Sequence, residues 1–480
     1  MASAFRLFVL ALLVALTVPR MVQRGMFGDG LMYAVIARNM SIGVGSFWTP
    51  TYTPTMDSEW FEHPPLALGL QAVAFRVLGD HLFVERLYSL AMFGCTAVLI
   101  VAIWRRGHGP PDQGTVFAHR GSWTRDGGFE WLPLIFWVLP SIVTWAVINN
   151  MLENTQTVFS TLAVLLVLIA AGAVTHRGAA MVAALAGVAS AAAVLSKGPV
   201  GFFPLAVPVL TVLLPRRPTP TRIVVMTAAA LGALVVCAAA IATSDAARHA
   251  MSEYLNAQVL ASLRGERETN ADPLAAFRHL GMGIAARMLV IGAVCWIVAR
   301  PRSPAPLAGT PAWFFLAVAV SASLPIAASP KMVGHYFLPS VPFFALGIAS
   351  LALPPVATAV ARSGAIARAT LLGLAAALIA ASIIVPVAAG AIEPRDEDMI
   401  RNLDAIAAAM PRDMTLGTCE QASSNWGLHS YLSRFFRVSL DARGAPANGW
   451  FLTLDAECQA PPACALSASG TRLALYTCAK

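Results

Sequence analysis

Apolar runs of about twenty residues, separated by short charged or Gly/Pro-containing breaks, recur from the start of the chain to about residue 390. A helix that crosses a hydrocarbon core needs roughly 20 predominantly apolar residues, with a range of about 17–25. The runs predict eleven spans: Phe5–Arg20, Leu82–Trp104, Trp131–Ile148, Thr155–Val174, Ala179–Leu195, Pro199–Leu214, Arg222–Thr243, Gly283–Ala299, Pro311–Ala328, Tyr336–Leu353 and Ala367–Gly390. The apolar stretch Pro64–Leu78 is shorter and is interrupted by Gln71 and Arg76, so it reads as an interfacial or partly embedded helix in the first outer loop. The first run reads as a retained span, because Val18-Pro19-Arg20 makes a poor signal-peptide cleavage site. From about Ala391 the pattern changes. Alternating stretches such as Phe435-Phe436-Arg437-Val438-Ser439-Leu440 and Arg472–Tyr476 predict strands. The expected fold is therefore an all-α polytopic membrane domain over 1–390 and a small extracytoplasmic α/β domain over 391–480.

Composition agrees with that pattern. The 480 residues are 57% hydrophobic and only 12% charged, with a mean hydropathy of +0.68, whereas a soluble chain averages about 25% charged residues. A cytosolic enzyme, a disordered chain and a nucleic-acid binder are excluded as readings. The net charge of +8 becomes informative once it is placed along the chain. With Arg6 on the cytoplasmic side, the cytoplasmic ends hold 13 basic residues (Arg6, Arg105, Arg106, Arg120, Arg125, Arg177, Arg216, Arg217, Arg222, Arg300, Arg302, Arg362 and Arg368) against three acids, Asp112, Asp126 and Glu130. The opposite side before residue 391 holds 12 of each sign. That asymmetry is the positive-inside pattern, and it predicts a multi-pass protein with a cytoplasmic N-terminus and an extracytoplasmic C-terminal domain. Four of the seven cysteines, Cys419, Cys458, Cys464 and Cys478, fall in that domain, where disulfides persist. Three pairings are open to them. Cys95, Cys237 and Cys295 lie within predicted spans and read as apolar packing.

The polar chemistry collects on the outer side. The loop from about Met21 to Leu82 carries Asp29, Asp57, Glu59, Glu62 and His63; another, from Ser244 to Met282, carries His249, Glu253, Arg264, Glu266, Arg267, Glu268 and His279. Shorter links read Asn149-Asn150-Met151-Leu152-Glu153-Asn154, Ser196-Lys197-Gly198-Pro199 and Ser329-Pro330-Lys331-Met332-Val333-Gly334-His335-Tyr336. The chain has three lysines against 30 arginines, and two of the three, Lys197 and Lys331, sit in these links. Snorkelling at the interface would account for either one. Two compact ammonium groups at one interface also suit a phosphate, which makes an anionic lipid-linked substrate the sharper reading. Asp29, Glu62 and Glu153 lie near membrane boundaries, where a partly dehydrated carboxylate can act as a general base or hold a divalent cation. His249 and Glu253, spaced i, i+4, are half of a metal site at best. No Walker-type or dinucleotide glycine pattern is present, so no nucleotide cofactor is expected.

The stretch Gly28-Asp29-Gly30-Leu31-Met32-Tyr33-Ala34-Val35-Ile36-Ala37-Arg38-Asn39-Met40, followed by Phe61-Glu62-His63-Pro64-Pro65-Leu66, resembles the first-loop signature of GT-C membrane glycosyltransferases. Aminoarabinose–lipid A transferases and bacterial protein O-mannosyltransferases are the members it is most similar to. Glu85–Ser89, Glu153-Asn154, Lys197-Gly198-Pro199 and Lys331 with Tyr336–Pro339 follow in the family's order, so the resemblance covers roughly residues 20–350. It implies a GT-C-like fold and, on the extracytoplasmic face of the cell inner membrane, transfer of a sugar from a polyprenyl-phosphate donor to a lipid, glycan or protein acceptor, as in lipid A or protein glycosylation. By the same resemblance Asp29 would activate the acceptor, Glu62 would be a cavity acid helping to bind a divalent ion, and Glu153 would be the second acidic position. Lys197 and Lys331 would contact the lipid phosphate. From the loop chemistry itself, Tyr33, His63, Arg264, Arg267, His335 and Tyr336 are further candidates for substrate contact, and the spacing of His249 and Glu253 makes them metal candidates beside Glu62. Two departures stand out. His63 occupies the usual lysine position, which would make a phosphate contact there depend on protonation. Gly30 occupies the place of a second acid in the protein mannosyltransferases. A lipid transporter or flippase is the main alternative, but it should show charges near mid-membrane and internal repeats, and neither is evident. A non-enzymatic scaffold leaves the clustered acids and lysines unexplained.

Overall fold

The computed structural model describes residues 1–108, 129–267, 272, 274–275, 277–286, 288–290, 292–293, 311–388, 395–443, 445–455 and 458–479. Among these, seven helices are long and apolar enough to cross a membrane. They are α1 (Ala2–Met21), α4 (Val84–His108), α7 (Glu153–Ala171), α8 (His176–Lys197), α9 (Pro220–Ala242), the run Gly334–Arg362 that includes α12 (Val341–Arg362), and α13 (Ala365–Ala388, its span ending at Val387). The expected span Trp131–Ile148 is two helices, α5 (Trp131–Val138) and α6 (Ser141–Ile148), which meet at 77°. Pro140 explains the break, since its ring cannot donate the amide a continuous helix would need. Pro199–Leu213 is a shorter element, mostly of 3₁₀ turns, and carries Pro199, Pro204 and Pro208. Its rise of about 2.0 Å per residue stretches it towards the ~30 Å of a hydrocarbon core. The run near Pro311–Ala328 is the 16-residue α11 (Ala312–Ala327). The end of the expected span Gly283–Ala299, from 294 on, the loop charges Asp112, Arg120, Arg125, Asp126, Glu268, Arg300 and Arg302, the cysteine Cys295 and the domain boundary near 391 lie outside the described residues. Cys95 is exposed on the outside of its helix and Cys237 half-buried, so neither is a core residue.

The segment after α1 folds into α2 (Gly28–Ser41) and α3 (Leu66–Leu78), which pack on each other. Ten consecutive residues of α2, Gly30 to Asn39, are buried. A helix buried all round must have partners on every side. α2 has the membrane helices and α3 on one flank and the C-terminal domain on the other. Leu31 and Met26 belong to the same apolar core as Leu403, Leu416, Tyr431 and Leu452 of that domain.

The C-terminal domain carries α14 (Glu397–Ile406), the short α15 (Glu420–Ser423), α16 (Trp426–Phe436) and a five-stranded sheet. The strands are β1 (Thr415–Thr418), β2 (Ser439–Asp441), β3 (Trp450–Leu454), β4 (Cys464–Ser469) and β5 (Leu473–Cys478), in the order β2-β1-β3-β5-β4. β1 is parallel to β2 and β3, and β5 is antiparallel to β3 and β4. Of the two stretches expected as strands, Leu473–Tyr476 falls in β5, and the end of the other, Ser439-Leu440, falls in β2. Phe435 and Phe436 instead end α16, whose buried Leu428, Tyr431, Leu432 and Phe436 follow a helical repeat. The disulfides are Cys419–Cys458 and Cys464–Cys478.

The domain is clasped to the membrane part by charge. The Arg434 guanidinium, 1% exposed, donates through Nε and Nη2 to the two Glu85 carboxylate oxygens at 3.1 and 2.9 Å. It also reaches Asp80 at 2.8 Å and the His81 carbonyl at 2.7 Å. A fork geometry that satisfies both partners makes such a buried pair tolerable. Arg434→Met leaves Glu85 buried without its cation and is expected to cost about 3–5 kcal/mol, read as a lower melting temperature and faster proteolysis of the C-terminal domain. Arg434→Met/Glu85→Leu should recover part of that loss, and a single variant with an unchanged melting temperature overturns the clasp.

Candidate active site

The α7–α8 hairpin sets the centre of the site. Its open end brings together Glu153, the first residue of α7, and Lys197, the last residue of α8. An acid at a helix N-terminus and a cation at a C-terminus both favour the helix dipoles. Lys197 Nζ lies 3.3 Å from Glu153 Oε1, with side chains 8% and 1% exposed. The ammonium also donates to the Tyr33 hydroxyl at 3.2 Å and to His63 Nε2 at 3.0 Å, and stands 5.4 and 5.6 Å from the ring centres of Tyr33 and Tyr336. His335 Nε2 is 3.7 Å from Glu153 Oε1, with its ring stacked on Trp145. Glu153 Oε2 is buried with no hydrogen-bond partner among the described residues.

Two glycines allow these approaches. A Cβ on Gly198, whose φ is +120°, would overlap the Tyr254 hydroxyl, which donates to the Lys197 carbonyl at 3.4 Å. A Cβ on Gly30 would overlap the Asn149 carbonyl oxygen. The turn at Asn149-Asn150 holds the start of α2: Asn149 Oδ1 accepts from the Phe27 amide at 2.8 Å, and Asn150 Nδ2 donates to the Gly30 carbonyl at 3.0 Å. That contact fixes Asp29 in the first turn of α2 and explains sterically why position 30 carries no second acid.

Asp29, Glu62, His63, Glu153, Lys197, Arg267, Lys331, His335 and Tyr336 line one cavity of about 710 Å³. Tyr33 joins them through its bond to Lys197. Arg264, His249 and Glu253 are not on its wall. His249 and Glu253, on α10 (Asp245–Tyr254), are exposed, and the His249 ring packs against Phe61. Among the described residues no three His, Cys, Asp or Glu side chains are grouped to hold a metal ion. Glu62, His249 and Glu253 therefore do not form a ligand set, and the carboxylates in the cavity face lysine and arginine instead. Among the described residues, these side chains are not grouped as a divalent ion would need. Sequence reasoning missed Gln156, Tyr254, Gln258 and Trp426, all on the wall. The signal for Gln156 was an amide inside an apolar span; its Nε2 donates to the Gly198 carbonyl at 3.2 Å.

Burial raises the Asp29 carboxyl above the usual range, against the opposing pull of Lys197 and His335. Burial likewise raises Glu62, opposed chiefly by Arg267. His63 is held well below its ordinary value by burial and then by the Lys197 charge. Because Lys197 donates to Nε2, the proton of the neutral His63 ring sits on Nδ1, an atom buried without a partner among the described residues. A neutral ring can offer such an N–H to an anion without being protonated. In ¹⁵N spectra of histidine-labelled protein, His63 should remain a neutral Nδ1–H tautomer from about pH 7.5 to about 5.5. A ring that charges within that interval contradicts the arrangement.

The fold is that of a multi-pass membrane protein of GT-C-like architecture, and Trp426 of the C-terminal domain closes one part of its charged cavity. The crystal structure of ArnT from Cupriavidus metallidurans bound to undecaprenyl phosphate superposes with a TM-score of 0.60 at 16% identity, over 98% of this chain and 97% of that one, and its apo form does so equally. The likeness is one of fold. The archaeal oligosaccharyltransferase AglB from Archaeoglobus fulgidus, in complex with an inhibitory peptide and a dolichol-phosphate, gives a TM-score of 0.43 at 12% identity over 81% of this chain and 56% of that one, too low to establish a shared fold. No protein-family model and no curated protein matches the sequence.

Proposed function

We propose that the protein is a membrane glycosyltransferase that moves a sugar from a polyprenyl-phosphate donor to a hydroxyl acceptor on a lipid, glycan or protein, at the extracytoplasmic face of the cell inner membrane. The observation that carries this reading is the convergence of Asp29, Glu153, Lys197 and Lys331 on one cavity at the membrane boundary. The ArnT structure with undecaprenyl phosphate supports the choice of donor class, and the charge asymmetry of the loops supports the orientation.

The reaction is a single displacement. The acceptor oxygen attacks the anomeric carbon while the bond from that carbon to the phosphate oxygen breaks, and the polyprenyl phosphate leaves with the electron pair. Asp29, ionised, takes the acceptor's proton. The site's cations stabilise the charge that grows on the phosphate. Lys197 is the central one, oriented by Glu153, Tyr33 and Tyr336, with Lys331 and the His63 Nδ1–H as further donors. Holding acceptor and donor together in a partly dehydrated cavity supplies the orientation that solution lacks.

In proteoliposomes supplied with polyprenyl-phospho-sugars and candidate acceptors, wild type should transfer sugar and Asp29→Asn should lose at least ~100-fold in kcat while inserting and melting normally. Equal turnover by the two proteins removes Asp29 from the mechanism. With Asp29 raised above the ordinary carboxylate range, kcat/KM should fall as pH drops through that displaced value, because the base is then protonated, and should level off above it. An acid limb at the usual carboxylate pKa of about 4 counts against Asp29 as the base.

A further inference from the structure

The apolar helix α3 carries two polar side chains, and they behave oppositely. Arg76 is exposed, as a cation on an apolar element should be. Gln71 is 1% exposed, on the same helix as the buried Ala67, Leu68, Ala72 and Phe75. A leucine there would serve packing better, and a buried amide is tolerated only where its hydrogen bonds are made. Gln71 Nε2 donates to Asn150 Oδ1 at 2.7 Å. Asn150 Nδ2 donates in turn to the Gly30 carbonyl at 3.0 Å and to Gln71 Oε1 at 3.4 Å. Asn150 is itself 3% exposed.

One atom fixes the direction of these bonds. The Gly30 carbonyl can only accept, so Asn150 must turn its NH2 towards it. That leaves Oδ1 for α3, and Gln71 must answer with its own NH2. The backbone agrees, because Asn150 has φ +51°, in the left-handed region where Asn is among the few side chains at ease. Its neighbour is supported differently. Asn149 holds the Phe27 amide, two residues before Asp29, and is steadied from α6 by donating through Nδ2 to the Trp145 carbonyl at 2.9 Å. The Asn150 side chain holds the residue after Asp29 and takes its support from α3. Asn150 also lies three residues ahead of Glu153, and α3 begins three residues after His63. One amide pair therefore ties together the segments that carry Asp29, His63 and Glu153.

We propose that Gln71 is a positioning residue for Asp29: acting through Asn150, it locks the first turn of α2 against the turn that leads into α7, and so holds Asp29 in a set place relative to Glu153 and Lys197. This rests on the glycosyltransferase reading, in which Asp29 takes the acceptor's proton. Gln71 does not line the cavity and touches no reacting atom. A merely structural pin would change stability alone, whereas a positioning role shows at the Asp29 carboxyl and in kcat. A base displaced by about 1 Å can lose on the order of 100-fold in rate.

The test uses full-length protein in nanodiscs, labelled with ¹³C at aspartate Cγ, with the Asp29 signal assigned by its loss in Asp29→Asn. Gln71→Met keeps the length of the side chain and removes its amide; Asn150→Gly keeps the left-handed turn and removes the other half of the pair. Each should bring the Asp29 titration midpoint down towards the ordinary carboxylate range, because a loosened turn admits water to a carboxyl that burial holds up. The double variant should move it no further than the larger single shift, since both substitutions break one link. With a polyprenyl-phospho-sugar and an acceptor, each single variant should lose about 10- to 100-fold in kcat, with KM for the donor unchanged. The titration is read without turnover, so an inactive wild type whose Asp29 midpoint still answers to Gln71→Met sinks the transferase reading and leaves the link standing. A midpoint that stays or rises, shifts that add in the double variant, or a loss confined to KM for the donor overturns the proposal. Should Gln71→Met fail to insert, Asn150→Gly decides by the same midpoint and the same kcat.

Discussion

The Glu153–Lys197 ion pair governs the site. Both groups are almost wholly removed from solvent, and either charge alone would carry a large desolvation cost. Their placement at the open end of one helical hairpin makes the pairing nearly inevitable once α7 and α8 pack. The ammonium then acts as a hub: it orients Glu153, holds the Tyr33 hydroxyl, fixes the His63 tautomer and faces two aromatic rings. With three protons to donate, Lys197 is committed to several partners at once, and an incoming phosphate would redistribute these contacts rather than find a bare charge.

A second constraint comes from α2. Helix burial on both flanks means that Asp29, at its start, is positioned jointly by the Asn149-Asn150 turn and by the domain that covers Leu31. The soluble domain is therefore part of the site's framework, held by the Arg434–Glu85 fork and by the Tyr431 hydroxyl, which accepts from the Met26 amide at 3.0 Å and donates to Asp396 at 2.9 Å.

Much of this was readable in the chain. Apolar length located the spans because the bilayer imposes it, and the scarcity of lysine drew attention to Lys197 and Lys331. Asp29, Glu62 and Glu153 were legible as acids in otherwise apolar surroundings. What could not be read depends on contacts between distant segments. The bend at Pro140 is written in one residue, but its 77° is not. Gly30 looked like a missing acid, and only the Asn149 carbonyl shows that no side chain fits. His249 and Glu253 had helical spacing suited to a shared ligand, yet the face they share points to solvent. Trp426 has no sequence signal at all, since an exposed tryptophan and a buried one are the same letter.

The contact between Met26 and Tyr431 joins residues 405 positions apart. In a chain made from its N-terminus, the loop that carries Asp29 emerges long before the tyrosine that completes its packing. Non-local contacts of this separation form late. The finished geometry around Asp29 is thus withheld until Tyr431 has been made, and a chain released before that point would carry its membrane helices without an assembled centre. Order of manufacture, as much as chemistry, decides when this protein can begin to work.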